Sequence, residues 1–255
     1  MKIATWNVNS VRARMHLLID WLRAHEPDAI CLQETKVEDH EFPRELIEDE
    51  GYNVEVFGGK TYNGVAIAAR WPIDNVVCGM PGDEEKRVIA ATVQGYSIVN
   101  LYVPNGRALD SDAYQQKLVW LQRLRTFLDD GFDPEDKVVV TGDFNITFDD
   151  RDVWDPDGMR EAIHCSTPER EALAHVMEFG LVDGLRRFHD EAGQFTWWHY
   201  RGPGLSKNRG LRIDHVLLSA AAMEVCTDVE IDVETRRGTR ASDHAPVYAT
   251  FSDIP

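Results

Sequence analysis

Residues 242–251 read Ser242-Asp243-His244-Ala245-Pro246, then Val247-Tyr248-Ala249-Thr250-Phe251. An acid and an imidazole sit where a polar turn enters an apolar strand. A strand holds the loop that feeds it, so chemistry is often mounted there. Ser, Asp and Pro are also ordinary turn formers, so this string alone does not decide. Three upstream loops have the same construction: Trp6-Asn7-Val8-Asn9, Gln33-Glu34-Thr35-Lys36 and Thr141-Gly142-Asp143-Phe144-Asn145. Each puts Asp, Glu, Asn or His at the end of an apolar run. In a layered fold such ends can converge on one rim. Hard oxygens with room for water suit Mg²⁺. Zinc would want more His or Cys than these loops offer. A bound cation would also reverse the local sign and let a phosphate approach carboxylates.

Working outward, Lys2–Asn7 reads as a strand. Val11, Met15, Leu18 and Leu22 recur at helical spacing behind Ser10 as N-cap, and Pro27 stops the helix. Asp28–Gln33, Tyr52–Phe57, Gly64–Arg70, Val88–Val93 and Ser97–Val103 read as strands. Ser111–Asp129 and Pro168–Phe179 read as helices. Lys137–Thr141 is a continuous apolar strand, expected to be buried on both faces. Leu211–Ser219, Val225–Val233 and Pro246–Phe251 complete the strands. Helices are fewer than strands and lie among them, which predicts two packed sheets with helices outside.

The chain has 255 residues, 43% of them hydrophobic, and no linker or low-complexity run. One domain, 1–255, is expected, with a core large enough to need no staples. Cys31, Cys78, Cys165 and Cys226 form no CxxC pair, and Cys31 and Cys226 lie in apolar strand-like runs, which points to buried thiols rather than disulfides or zinc ligands. No leader or spanning segment is visible, so a cytoplasmic protein without membrane attachment is expected.

The net charge is −17, which taken whole argues against a nucleic-acid partner. The charge is uneven, however. Arg201, Lys207, Arg209 and Arg212 precede Asp214 with no intervening acid, and Arg236, Arg237 and Arg240 precede Asp243. A local field matters more than the sum when a ligand enters a cleft.

Taken in order, these loops are similar to those of the endonuclease/exonuclease/phosphatase superfamily of metal-dependent phosphoesterases. The chain looks closest to its exonuclease III family of AP endonucleases. The resemblance runs from Lys2 to about Phe251. It includes Leu32-Gln33-Glu34-Thr35-Lys36, Tyr102-Val103-Pro104-Asn105-Gly106, Gly180-Leu181-Val182-Asp183, Phe195-Thr196-Trp197-Trp198 and Asn208-Arg209-Gly210-Leu211-Arg212-Ile213-Asp214. The last three strings separate DNA-acting members from phosphatase and sphingomyelinase branches.

The resemblance implies an α/β (α+β) fold: a four-layer α/β/β/α sandwich of two mixed sheets. It implies Glu34 as principal Mg²⁺ ligand, with Asn7, Asp143, Asn145, Asp243 and His244 in the metal site. It makes Tyr102, Asp143, Asn145, Asp214 and His244 catalytic, with Asp214 keeping His244 protonated. Whether Asp143, Tyr102 or His244 is the base stays open, as does one metal or two. Asn105, Trp197, Arg209, Leu211, Arg212 and Ile213 would meet DNA, with Trp197 walling a pocket for a base-free deoxyribose. Trp198 is expected in the core. The implied activity is Mg²⁺-dependent cleavage of duplex DNA 5′ to abasic sites, with 3′–5′ exonuclease and 3′-phosphodiesterase or phosphatase action. Mn²⁺ would substitute for Mg²⁺. A monomer without an obligate protein partner is expected. Asn9 stands where some relatives carry an acid. The aspartate-rich segment Phe148–Pro168 matches poorly, and reads as a loop over DNA or as surface variation. A phosphoesterase acting on a lipid or small ester is the rival enzyme; a DNA-binding module without catalysis is the rival of another kind.

Overall fold

The computed structural model describes residues 1–82 and 84–252. The chain runs β1 (Lys2–Asn7), α1 (Val11–His25), β2 (Ala29–Gln33), α2 (Arg44–Glu48), β3 (Asn53–Phe57), β4 (Val65–Ala69) and β5 (Asp74–Cys78). It continues through β6 (Val88–Val93), β7 (Tyr96–Tyr102), α3 (Asp112–Gly131), β8 (Val138–Asp143), α4 (Thr167–Met177), β9 (Leu181–Asp183) and α5 (Gly184–Phe188). The remaining elements are β10 (Asp214–Ser219), α6 (Ala220–Val225), β11 (Cys226–Ile231), α7 (Val233–Arg236) and β12 (Val247–Phe251).

The strands form two six-stranded sheets, ordered β11-β12-β1-β2-β4-β3 and β5-β6-β7-β8-β10-β9. The pairs β1–β2 and β7–β8 are parallel and the others antiparallel, so both sheets are mixed as expected. Three apolar layers hold the sandwich. Ile3, Cys31, Ile67, Ile98 and Val139 meet between the sheets. Trp6, Ile30 and Leu32 face α1 on one outer side. Val138 and Val140 face α3 and α4 on the other. Alternate residues of β1, β2 and β8 thus enter different cores. These strands therefore read as unbroken apolar runs rather than as alternations.

Between the sheets, near the rim, lies a small polar lock. Gln33 Nε2 donates to Thr5 Oγ1 at 2.8 Å and to Asn100 Oδ1 at 2.7 Å. Asn100 Nδ2 donates to the carbonyls of Leu32 and Ala66 at 3.0 and 2.8 Å. A buried amide pair is stable only with its partners in place, so it fixes how one sheet sits on the other.

Several elements depart from the sequence reading. Ser10 does not cap α1 through its side chain and has φ 87°. The helix entry is held instead by Ser10 and Val11 N–H groups donating to Glu34 and Thr35 carbonyls. Strand β10 begins at Asp214, because Leu211 is taken by isolated bridges to Val153 and Trp197. The exposed strand β5 and the three-residue β9 show no periodicity that sequence could offer. Among the described residues no helix is long and apolar enough to cross a membrane.

Gly142 lies hard against the neighbouring strand. Its φ is +143°, and a Cβ there would lie 1.9 Å from the Leu101 carbonyl of the neighbouring strand. Gly142→Ala is expected to cost about 3 kcal/mol of stability or more, read by urea denaturation, because main chain rather than a flexible side chain must move.

Candidate active site

One rim of the sandwich collects the ends of six strands. Asn7 ends β1, Glu34 follows β2, and His244 precedes β12, all from the first sheet. Tyr102 ends β7, Asp143 ends β8, and Asp214 opens β10, all from the second. Asp143 lies in register with both Tyr102 and Asp214. The cleft is lined by Glu34, Tyr102, Asn105, Asp143, Asn145, His164, Trp197, Ile213, Asp243 and His244. All four sequence loops reach this rim.

Asn7 bridges the sheets. Its Nδ2 donates to Glu34 Oε1 at 2.8 Å and to Asp143 Oδ2 at 2.9 Å. Its Oδ1 accepts from the Asn9 N–H at 3.0 Å, which fixes the amide orientation. Asn7, expected as an oxygen ligand, therefore turns its donor to the carboxylates. Asn145 also differs from that expectation. Its Oδ1 accepts from Asn105 at 3.1 Å and its Nδ2 donates to the Val103 carbonyl, while its N–H holds Asp143 Oδ1 at 2.9 Å. Asp243 lines the cleft, but its oxygens accept from Asn9 Nδ2 at 2.9 Å and Trp197 Nε1 at 3.0 Å.

His244 Nδ1 lies 2.8 Å from Asp214 Oδ2, and Nε2 lies 3.7 Å from Asp143 Oδ2. Burial alone would lower the imidazole pKa, but the charges of Asp214 and Asp143 outweigh it and raise it to about 10. A protonated ring has no lone pair to give a metal. In the metal-free protein His244 thus carries a positive charge, while its ring nitrogen stays grouped with Glu34 and Asp143 as a candidate ligand atom. Asp143 moves the other way from an ordinary carboxylate. Burial, then Asp214 and Glu34, push its pKa well up, against the pull of His244. Burial also opposes the charge on Glu34, yet Lys36 and Asn7 hold its pKa below the usual value.

Glu34, Asp143 and His244 each place one candidate atom within 4.8 Å of the others. With His244 charged, two carboxylates remain. Two hard oxygen donors facing each other across a bridging amide, one of them destabilised by like charge, fit a divalent cation that keeps part of its water.

Burial raises the Tyr102 phenol well above its usual pKa, and Glu34 and Asp143 add to this. It stays a donor near neutral pH. Neither an imidazolium nor a neutral phenol can take a proton there, so Asp143 has the chemistry of a base.

The residues expected to meet DNA divide into two groups. Trp197 and Ile213 form apolar wall in the cleft, and Asn105 is exposed at its edge. Arg209 is exposed with its guanidinium 4.9 Å above the Trp154 ring. Leu211 is buried beneath the wall with Val153, Cys165 and Ile213. Arg212 is 1% exposed, which overturns its expected contact with DNA. Its guanidinium is consumed by Asp152 at 2.8 and 2.9 Å and by Asp183 at 2.7 and 3.1 Å. Arg236 is likewise buried, donating to the carbonyls of Asp243 and Trp198. Trp198 is core, with Nε1 on Asn208 Oδ1 at 3.1 Å.

Lys36 and His164 were given no role by the sequence reading. Lys36 Nζ sits 2.6 Å from Glu34 Oε2 and 2.6 Å from Asn9 Oδ1. Asn9 in turn holds Asp243. His164 lines the cleft with Nδ1 2.6 Å from the Asn145 carbonyl. Burial and the nearby Lys117 lower its pKa to about 3, so it is neutral. Segment 148–168 is thus more than surface variation, since it sends Asp152 and His164 into the site's support. Asn9, Glu34, Lys36, Asn145 and His164 all have positive φ, a strain that sequence spacing does not reveal.

The sequence pattern of the Endonuclease/Exonuclease/phosphatase family matches residues 4–244. The chain belongs to that family. It is 35% identical over 269 aligned residues to exodeoxyribonuclease III of Haemophilus influenzae, covering 98% of this chain and 100% of that protein. A Neisseria 3′ phosphatase, solved with a product DNA hairpin, matches with a TM-score of 0.96 and 42% identity, over 99% of this chain and 100% of that one. An AP endonuclease from Archaeoglobus fulgidus matches with a TM-score of 0.96 and 38% identity, again over 99% and 100%. The two six-stranded sheets are therefore the endonuclease/exonuclease/phosphatase fold.

Asp152 anchors this family member's cleft from behind. Burial opposes its charge, but Arg212 lowers its pKa to about 2 from an ordinary 3.8. A depressed carboxylate stabilises the fold above its unfolded pKa and loses that effect as pH falls through the folded one. Asp152→Asn is expected to cost about 2 kcal/mol at pH 7. In paired denaturation curves the difference should shrink between about pH 4 and pH 2.

Proposed function

We propose that the chain, 1–255, is a single-domain, Mg²⁺-dependent DNA-repair phosphodiesterase. Its substrate is duplex DNA, cut 5′ to an abasic site to leave a 3′-hydroxyl, or trimmed at 3′ ends by removal of nucleotides and blocking groups. The observation that carries this reading is the juxtaposition of Glu34, Asp143 and the Asp214–His244 pair in one buried cleft walled by Trp197 and Ile213. The relatives' names support the DNA substrate, and the apolar wall favours a deoxyribose that has no base to unstack.

Glu34 and Asp143 would hold the Mg²⁺ ion, and Mn²⁺ would replace it. Bound there, the cation supplies neutralisation of phosphate charge and eases departure of an oxyanion. The chain does the rest. Asp143 accepts the proton of the attacking water, held for this by the Asn145 N–H and the Asn7 amide. The His244 imidazolium contacts a phosphate oxygen, kept charged by Asp214. Tyr102 donates its phenolic proton to a phosphate or departing oxygen. Asn105 and Arg209 steady the DNA at the cleft edge, with Arg201 and Lys207 adding positive field. The protein acts as a monomer in the cytoplasm, without an obligate protein partner.

The test uses two duplexes, one with a tetrahydrofuran abasic analogue and one with a 3′-phosphate end. Turnover of both should require Mg²⁺ or Mn²⁺, and Glu34→Gln should lower it by about 10²-fold or more. No metal-dependent turnover of either duplex, or equal rates for wild type and Glu34→Gln, would reject the reading.

A further inference from the structure

Helix α3 carries a lysine that the chemistry above does not use. Lys117 is wholly buried. Its Nζ donates to the Glu169 carboxylate of α4, to the Asn145 carbonyl at 2.7 Å and to the Asn105 carbonyl at 3.3 Å. Glu169 is held in turn by the N–H groups of His164 and Ser166 at 3.2 and 3.3 Å and by Ser166 Oγ at 2.6 Å. The ammonium is therefore fixed from the α4 side and faces two cleft loops from below. Gly106, at φ +86°, crosses so close that a Cβ would meet Lys117 Cδ at 3.1 Å.

A buried ion pair alone is a weak reason for such a residue. Apolar side chains of similar volume often serve stability as well. An ion pair also needs only one of the three ammonium protons. The other two go to main-chain carbonyls of segments 102–106 and 143–145, which are adjacent in space but not in sequence. One segment carries Tyr102 and Asn105, the other Asp143 and Asn145. An apolar pair could fill the volume but could not direct two donors at these carbonyls.

We propose that Lys117 is a positioning residue, setting the spacing between the Tyr102–Asn105 and Asp143–Asn145 segments through their carbonyl oxygens. Its kinetic consequence rests on the phosphodiesterase reading; the geometric effect does not.

Lys117→Met keeps an unbranched stem and removes the donors. The double variant Lys117→Met/Glu169→Gln also removes the charge left behind. The single variant should lose stability and the double should regain most of its Tm. In both, kcat on the cleaved duplex should fall about 10- to 100-fold while KM changes less than about threefold. Amide exchange in 103–107 and 143–147 should quicken in both. A double variant with wild-type Tm, kcat and exchange overturns the proposal. So does one whose loss lies in Tm alone. If neither variant folds, Lys117→Arg keeps the charge and displaces the donors, with the same two expectations and the same reversal. A wild-type protein inert on every duplex would sink the phosphodiesterase reading, while the exchange data would still decide positioning.

Discussion

Asp214 and His244 belong to different sheets, and their side chains meet at the rim with Nδ1 2.8 and 3.1 Å from the two carboxylate oxygens. Taking both charges out of water is expensive unless each finds a partner. The imidazole finds two, since Asp143 stands 3.7 Å from its other nitrogen. That geometry requires β8 and β10 to lie in register and β12 to approach from the facing sheet. The Gln33–Asn100 lock sets this approach, and Gly142 lets β7 and β8 come close enough for Tyr102 to join. The site is thus a property of how two sheets are stacked, not of any single loop.

The same arrangement accounts for an acidic protein reading as a partner of a polyanion. Inside the cleft the acids are matched one by one: Glu34 by Lys36, Asp214 by His244, Asp243 by neutral donors from Asn9 and Trp197. Asp143 takes neutral donors from Asn7 and Asn145 and shares the one imidazolium with Asp214, which leaves negative charge in surplus, crowded and shielded from water. A divalent cation would relieve that surplus and present positive field to a phosphate. Outside the cleft, Arg201, Lys207 and Arg209 are exposed on the side that carries Trp197, whereas Arg212 and Arg236 spend their charge internally.

Much of this was legible in the sequence for identifiable reasons. Strands β1, β2 and β8 are buried on both faces, so their apolar runs were plain, and the polar residue ending each run marked the rim. Strand β5 was hidden because its residues are all exposed. Arg212 was misjudged because a guanidinium among basic neighbours looks like a DNA contact. Its partners Asp152 and Asp183 lie 60 and 29 positions away and gave no local sign. The orientation of the Asn7 and Asn145 amides was hidden for a related reason. Residue type predicts that an amide has an oxygen, but only the network shows which end faces the acids. Lys36 and His164 depend on left-handed backbone, which spacing does not encode.

The claim on which these points rest is that His244 is a fixed cation between two sheets. The direct measurement is an NMR pH titration of its imidazole in the metal-free protein, with Asp214→Asn as the comparison. The wild-type ring should stay protonated through neutral pH and titrate near 10, and the variant should titrate lower. A wild-type ring that loses its proton near its ordinary 6.5, unchanged in the variant, would contradict the account.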